Sequence, residues 1–167
     1  MNFFTSLLTR SSAFCEALAA LENGTAPISL TGAADIHKAH IISAMEDKMS
    51  GRHSVLCRNE LIALQMCRDI NAFSGRERAF FYPERDFTFN MTETSSREYE
   101  QERLGALSSL LSGEGDLLVL PISAAMQFCP SPELLNSTTF TLKTGESVAL
   151  MRFKKGQKYL VLDRMVM

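Results

Sequence analysis

Apolar residues along this chain fall at helical spacing in some stretches and in short continuous runs in others. Phe4, Leu7, Leu8, Phe14, Cys15, Leu18 and Leu21 recur at helical spacing, which predicts an N-terminal core-packing helix stopped by Asn23-Gly24. Pro27 to Thr31 is short and β-prone and predicts a buried strand. A helix follows from about Ala34 to Ser50, with Ile41, Ile42, Met45 and Met49 on one side and Gly51 as its C-cap. His53 to Cys57 predicts a second strand. Asn59 then caps a helix carrying Ile62, Met66, Ile70 and Phe73, which Ser74-Gly75 stops. Ala79 to Tyr82 is a third strand, closed by Pro83.

The second half continues the alternation. Phe87, Phe89 and Met91 alternate with polar residues, as in a half-exposed extended stretch. Ser95 and Glu98 form a capping box opening a helix through Leu104, Leu107, Leu110 and Leu111, which ends near Gly113-Glu114-Gly115. Asp116 to Pro121 contains Leu-Leu-Val-Leu, a continuous apolar run typical of a strand buried on both faces. Short helices are expected through Ala124 to Met126 and from Glu133 to Asn136, with a strand at Thr138 to Lys143. Val148 to Phe153 and Tyr159 to Leu162 flank Lys154-Lys155-Gly156-Gln157 and predict a β-hairpin. The order implies an α/β fold: a mainly parallel sheet flanked by helices, with a C-terminal hairpin.

Bulk properties narrow the function classes. The chain has 167 residues, enough for one domain with a real core, and its apolar content of 46% and charged content of 22% are ordinary. A net charge of -2 gives no general pull toward nucleic acid, so any DNA contact needs a local basic patch. No apolar run approaches a membrane span, and Arg10 and Glu16 interrupt the apolar N-terminus, against a signal peptide. The four cysteines, Cys15, Cys57, Cys67 and Cys129, form no C-x-x-C pair and read as small buried hydrophobes in a reducing cytosol. His37 and His40 have a spacing that suits a metal, but no nearby Cys or third His supports one, and they read as ordinary helix histidines.

The strongest candidate chemistry is an incomplete phosphate loop. Ile28 to Ala39 places Gly32, then intervening residues, then Lys38 at the opening of a helical pattern, following G-x-x-x-x-G-K-[ST]. His37 stands where the second Gly belongs and Ala39 where the Ser/Thr belongs. The Gly lets backbone N–H groups face the phosphates, and the hydroxyl holds magnesium. A site lacking both should not hydrolyse nucleotide. The polar run Ser96 to Leu104 carries Arg97 and Arg103, which suit phosphate or a partner carboxylate but read more simply as a solvated helix face with i,i+3 and i,i+4 pairs. Pro83-Glu84-Arg85-Asp86 is a mixed-charge turn in which Asp86 is a turn former. No Ser/His/Asp set or carboxylate pair can be placed by spacing, so no catalytic residues are assigned.

Several stretches in order resemble one family. They are the Leu-rich N-terminal helix, Ser29-Leu-Thr-Gly-Ala-Ala34, Ser54-Val-Leu and Phe81-Tyr-Pro-Glu-Arg-Asp86. Ser96 through Pro121, Ala124-Ala-Met-Gln127, Pro132-Glu-Leu-Leu135 and Phe140-Thr-Leu-Lys-Thr-Gly145 follow. The chain thus resembles, over residues 1–147, the N-terminal module of the bacterial transcription-repair coupling factor. That module is UvrB-like: it is itself similar to UvrB, the damage-recognition component of the nucleotide-excision nuclease. The resemblance implies a degenerate helicase-like (RecA-like) α/β subdomain over residues 1–147, with Gly32, His37, Lys38 and Ala39 as remnants of a lost nucleotide site and no cofactor. It implies a cytoplasmic, non-catalytic part of a DNA repair factor. In the full-length parent the partners are the excision nuclease component UvrA, stalled RNA polymerase and DNA. Arg103-Leu-Gly-Ala-Leu107 matches the family's Arg-Leu-x-Ala-Leu helix. After Gly145 the family continues into a second subdomain that carries the surface for UvrA. Here residues 148–167 form an atypical tail instead, so a truncated fragment is expected and no partner-contact residue is carried over. Two rival readings are a free-standing α/β enzyme or phosphate-binding domain using Lys38 and the helix start after Gly32, and a direct DNA-binding domain, which the net charge disfavours.

Overall fold

The computed structural model describes residues 3–25, 27–85, 95–138, 148–152 and 159–164. The chain divides into two compact units, Met1–Cys129 and Pro130–Met167.

In the first unit the expected N-terminal helix is two helices, α1 (Phe3–Leu8) and α2 (Ser12–Glu22), broken at Thr9-Arg10-Ser11. The helix after Gly32, α3 (Asp35–Glu46), ends well before Gly51. Its last carbonyl, Glu46 O, accepts a hydrogen bond from Arg78 Nη2 at 2.8 Å, and the Asp47 side chain is bound to the same guanidinium. These contacts stop the helix earlier than its apolar periodicity suggests. Strand β1 (His53–Cys57) and helix α4 (Glu60–Ser74) follow, both where expected. Asn59 Oδ1 accepts from Ile62 N at 3.0 Å, and Gly75 closes α4 in the left-handed conformation at φ 67°. Strand β2 (Ala79–Phe81), helix α5 (Ser95–Ser112), strand β3 (Leu117–Pro121) and the short α6 (Ile122–Ala125) complete the unit.

The sheet has three parallel strands in the order β1-β3-β2. Leu117 is the partner of both His53 and Ala79, so residues two apart along each strand share a face. Cys57, Ala79, Leu117 and Val119 on one face pack against Ala63, Met66, Cys67 and Ile70 of α4 and Ala39 of α3, making the main core. Central β3 is buried along most of its length, as its Leu-Leu-Val-Leu run requires. The chain passes from edge strand β1 to edge strand β2 and returns to the middle. The right-handed rule for parallel crossovers, applied to connections that run in opposite directions, assigns α4 and α5 to opposite faces. Buried Ala106 and Leu107 of α5 belong to this second layer, while Leu56 on edge strand β1 stays 59% exposed.

One expected strand does not form. Pro27 to Thr31 is irregular, and Leu30 is 52% exposed. The segment has the apolar content of a strand but pairs with none of the described strands, and without ladder hydrogen bonds an apolar run is not a strand. The expected extended stretch Phe87–Met91, Asp86 of the charged turn and most of the expected strand at 138–143 lie outside the described residues. Thr138 itself ends a helix.

The second unit has helix α7 (Pro132–Thr138) and two antiparallel strands, β4 (Val148–Arg152) and β5 (Tyr159–Arg164), with an irregularity between Ala149 and Leu150. These strands are the two arms of the expected hairpin. No helix among the described residues is long and apolar enough to cross a membrane.

Candidate functional site

The residues of the incomplete phosphate loop lie where the chain enters α3. Gly32 has φ 78°, a conformation that favours glycine, and a Cβ there would meet open space. The helix then begins at Asp35 with Ala34 as N-cap, and Lys38 N already donates to Ala34 O at 3.0 Å. The backbone around Lys38 is therefore helical rather than looped around a cavity. Lys38 Nζ bonds Asp35 Oδ1 at 2.8 Å across one helical turn, and this contact holds the Asp35 carboxyl below its ordinary value. Asp35 also places a negative charge on the helix N-terminus, where a phosphate would otherwise find positive potential. Ala39 is fully buried in the core between α3 and α4, so the position where the motif needs a hydroxyl is a packing position here. His37 is exposed. His40 sits apart, its Nε2 2.7 Å from Phe4 O and its ring stacked on Phe73 with centroids 4.6 Å apart. Its ring is thus engaged by α1 and α4, and the described residues hold no group of three His, Cys, Asp or Glu able to bind a metal.

A cavity of about 490 Å³ adjoins this loop, lined by Ile41, Ile42 and Met45 of α3, Val55 of β1 and Ile62 and Met66 of α4, with Lys38 and Arg58 among its polar residues. It is mostly apolar. Cys57 lies on its wall, and burial chiefly, with Asp35 second, pushes its thiol up.

A second group surrounds Arg103, beyond the C-terminal ends of β2 and β3, the side of a parallel sheet where ligands usually bind. The solvated-face reading of this arginine does not hold: Arg103 is 2% exposed. Its Nη1 donates to Pro83 O at 2.6 Å and Gln127 Oε1 at 3.1 Å, and its Nη2 to Phe128 O at 3.2 Å. The guanidinium lies 4.0 Å from the centroid of the Tyr82 ring. Burial chiefly, with Cys129 adding to it, pushes the Tyr82 hydroxyl up to about 12. Gln127 Oε1 also accepts from Arg85 N at 2.7 Å, and Arg85 Nη2 reaches Glu100 Oε2 at 3.3 Å. The mixed-charge turn is thereby tied to α5 and to the segment after α6. The side chain of Arg97 lies outside the described residues.

A third group, at the N-terminal ends of the strands, was not picked out by the sequence. Arg78 is 1% exposed, and its Nε and Nη2 form a fork on Asp116 at 3.0 and 2.7 Å. Its Nη1 holds Asp47 Oδ1 at 2.8 Å, while Asp47 Oδ2 accepts from Thr5 of α1 at 2.8 Å. Burial favours the protonated form of Asp116, but the Arg78 hydrogen bond and charge outweigh it and hold the carboxyl below its ordinary value. Nearby, Glu46 is pushed up, because burial outweighs its contact with His53 at 2.9 Å. The available signal was positional: Arg78 and Asp116 each stand immediately before an apolar strand, and parallel pairing in register brings them together. The cysteines also divide. Cys57 and Cys67 are buried, but Cys15 and Cys129 are exposed, contrary to the expectation that all four pack inside.

Set beside known proteins, the chain is similar to transcription-repair-coupling factors. That of Staphylococcus aureus strain bovine RF122 / ET3-1 is 23% identical over 130 residues, 78% of this chain and 11% of the relative. Those of strains USA300 and NCTC 8325 / PS 47 are 22% identical over the same length, 78% of this chain and 11% of each relative. The chain thus spans about a tenth of the length of the curated relatives it matches. The DUF2577 family, described as a protein of unknown function, matches residues 84–164, just under half of the chain. No solved structure matches significantly.

Proposed function

We propose that this chain is a non-catalytic, helicase-like α/β module of a transcription-coupled nucleotide-excision repair factor. The observation that carries this reading is the similarity to transcription-repair-coupling factors over 78% of the chain. The geometry at the lost phosphate loop supports it. Lys38 is paired with Asp35, the helix starts before the lysine, and Ala39 is core. In this reading the module belongs to a factor whose partners are the excision nuclease component UvrA, RNA polymerase and DNA, and its own contribution is structural. Calorimetric titration of the full chain with ATP and magnesium tests it. No magnesium-dependent binding in the micromolar range is expected, and such binding or ATP turnover would overturn the reading.

The cavity beside Lys38 favours a second reading, a binding domain for a phosphate ester with an apolar body. Lys38 would then bind the phosphate after leaving Asp35. Lys38→Ala separates the two readings, since it should abolish such binding under the second and change nothing under the first.

A further inference from the structure

Three arginines lie at one end of the sheet, two of them placed there by strand register. Arg52 and Arg78 immediately precede β1 and β2, Asp116 precedes β3, and Leu117 of β3 is the partner of both His53 and Ala79. Arg76 joins them from the turn before β2. Together with Gly51, Gly113, Glu114 and Gly115 they line a cleft of about 500 Å³. The charges in this cleft are unequally satisfied. Arg78 is paired at short range with two carboxylates, Asp47 and Asp116. Arg76, with its side chain 64% exposed, comes no nearer than 4.0 Å to Asp116 Oδ2, an oxygen that already accepts from Arg78 at 2.7 Å. Arg52 gives one donor to a neutral acceptor, Leu111 O, at 3.3 Å. Two guanidinium groups thus reach the same cleft with donors to spare, and Glu114 is the carboxylate lining it that no described salt bridge uses.

We propose that this cleft binds an anion of the phosphoryl class, with Arg52 and Arg76 as its ligands and Arg78 as the buried cation behind them. A guanidinium presents its N–H donors in a planar fork that matches phosphate oxygens, which makes paired arginines a better fit to a phosphoryl group than to a spherical anion. The cleft's lining carries Arg52, Arg76 and Arg78 against Glu114 and Asp116, a small local excess of positive charge in a chain whose net charge is -2. It lies at the opposite end of the sheet from the Arg103 group and does not involve Lys38, so it stands or falls apart from the proposed function. The phosphoryl group has two possible sources, a free phosphate and the backbone of a polynucleotide.

The test uses the full chain with inorganic phosphate, followed by NMR shifts of the arginine side chains, and a labelled single-stranded oligonucleotide followed by anisotropy. Saturable binding of at least one probe is expected. Arg76→Ala and Arg52→Ala should each weaken it about tenfold. Arg76 is exposed, so its removal should not unfold the protein, and circular dichroism checks this. Binding of phosphate without the oligonucleotide would identify a free anion as the source. Oligonucleotide binding that weakens with added salt would identify the backbone. Saturation by neither probe, or binding that survives both arginine substitutions, would overturn the proposal.

Discussion

Arg78 and Arg103 are both almost completely buried, and they are held in opposite ways. Arg78 sits at the N-terminal end of the sheet between two carboxylates, Asp47 and Asp116. Arg103 sits beyond the C-terminal end among carbonyls, an amide and an aromatic ring. Burial weakens the protonated form of each. At Arg78 the two aspartates more than compensate, and its pKa rises. At Arg103 burial prevails over Tyr82 and Glu100, and its pKa falls. Both stay charged at any working pH. The difference lies in what each would leave behind. Removing Arg78 strands charges, whereas removing Arg103 strands neutral acceptors.

The largest effect should follow from Arg78→Met. It leaves Asp116 and Asp47 without their partner, and breaking a buried pair from one side typically costs about 3–5 kcal/mol. Because the aspartates are 32% and 17% exposed, the lower end is expected here. Urea denaturation would measure it, and a loss under about 1 kcal/mol would show that the cluster is not an electrostatic anchor. Adding Asp116→Asn to Arg78→Met should recover part of the loss, because contacting residues couple by ~0.5–3 kcal/mol.

Arg103→Met should cost less, about 2 kcal/mol, since a hydrogen bond to a charged group contributes ~1.5–3 kcal/mol and the methionine stem keeps part of the packing. Equal losses for the two variants in urea would erase the distinction between them. Gln127→Ala is a milder probe of the same group. It should cost about 1 kcal/mol, because it removes a neutral acceptor shared by Arg103 and Arg85 N.

The two arginines also mark what the sequence concealed. Local signals read well: Asn59 and Gly75 bound α4, and the apolar run in β3 is buried. Parallel order followed from the alternation of elements. Charged residues, by contrast, read as solvent-facing by default. Arg103 lies in the most polar run of the chain, which is why its burial was not legible. Arg78 meets Asp116 only through strand register, and register is a tertiary property. The same holds for Pro27 to Thr31, where composition allowed a strand and none of the described strands came to pair with it. At the candidate site, the departures of His37 and Ala39 from the phosphate-loop pattern were plain in the sequence. The Lys38–Asp35 pair became visible only once the helix was seen to begin at Asp35.

The smallest effect is a pH dependence that separates the charge-paired cluster from its neutral counterpart. Asp116 has a folded pKa below its unfolded value near 3.8, so its contribution is present above that value and is lost as pH falls through the folded one. Glu46 has a folded pKa above 4.5, so its contribution is present below that value and is lost as pH rises through the folded one. The two carboxylates therefore act in opposite directions on opposite sides of about pH 4. Glu46→Gln removes only the second, so the variant should gain on the parent protein between about pH 4 and pH 7. Arg78→Met removes the cause of the first, so its stability deficit should shrink as pH falls below about 4. Arg103→Met touches no carboxylate by a direct hydrogen bond, and its deficit should stay level across the same range. Urea midpoints for the three variants at about pH 3, 5 and 7 make the comparison, and a parallel acid response in Arg103→Met would mean that Glu100 charges its group after all.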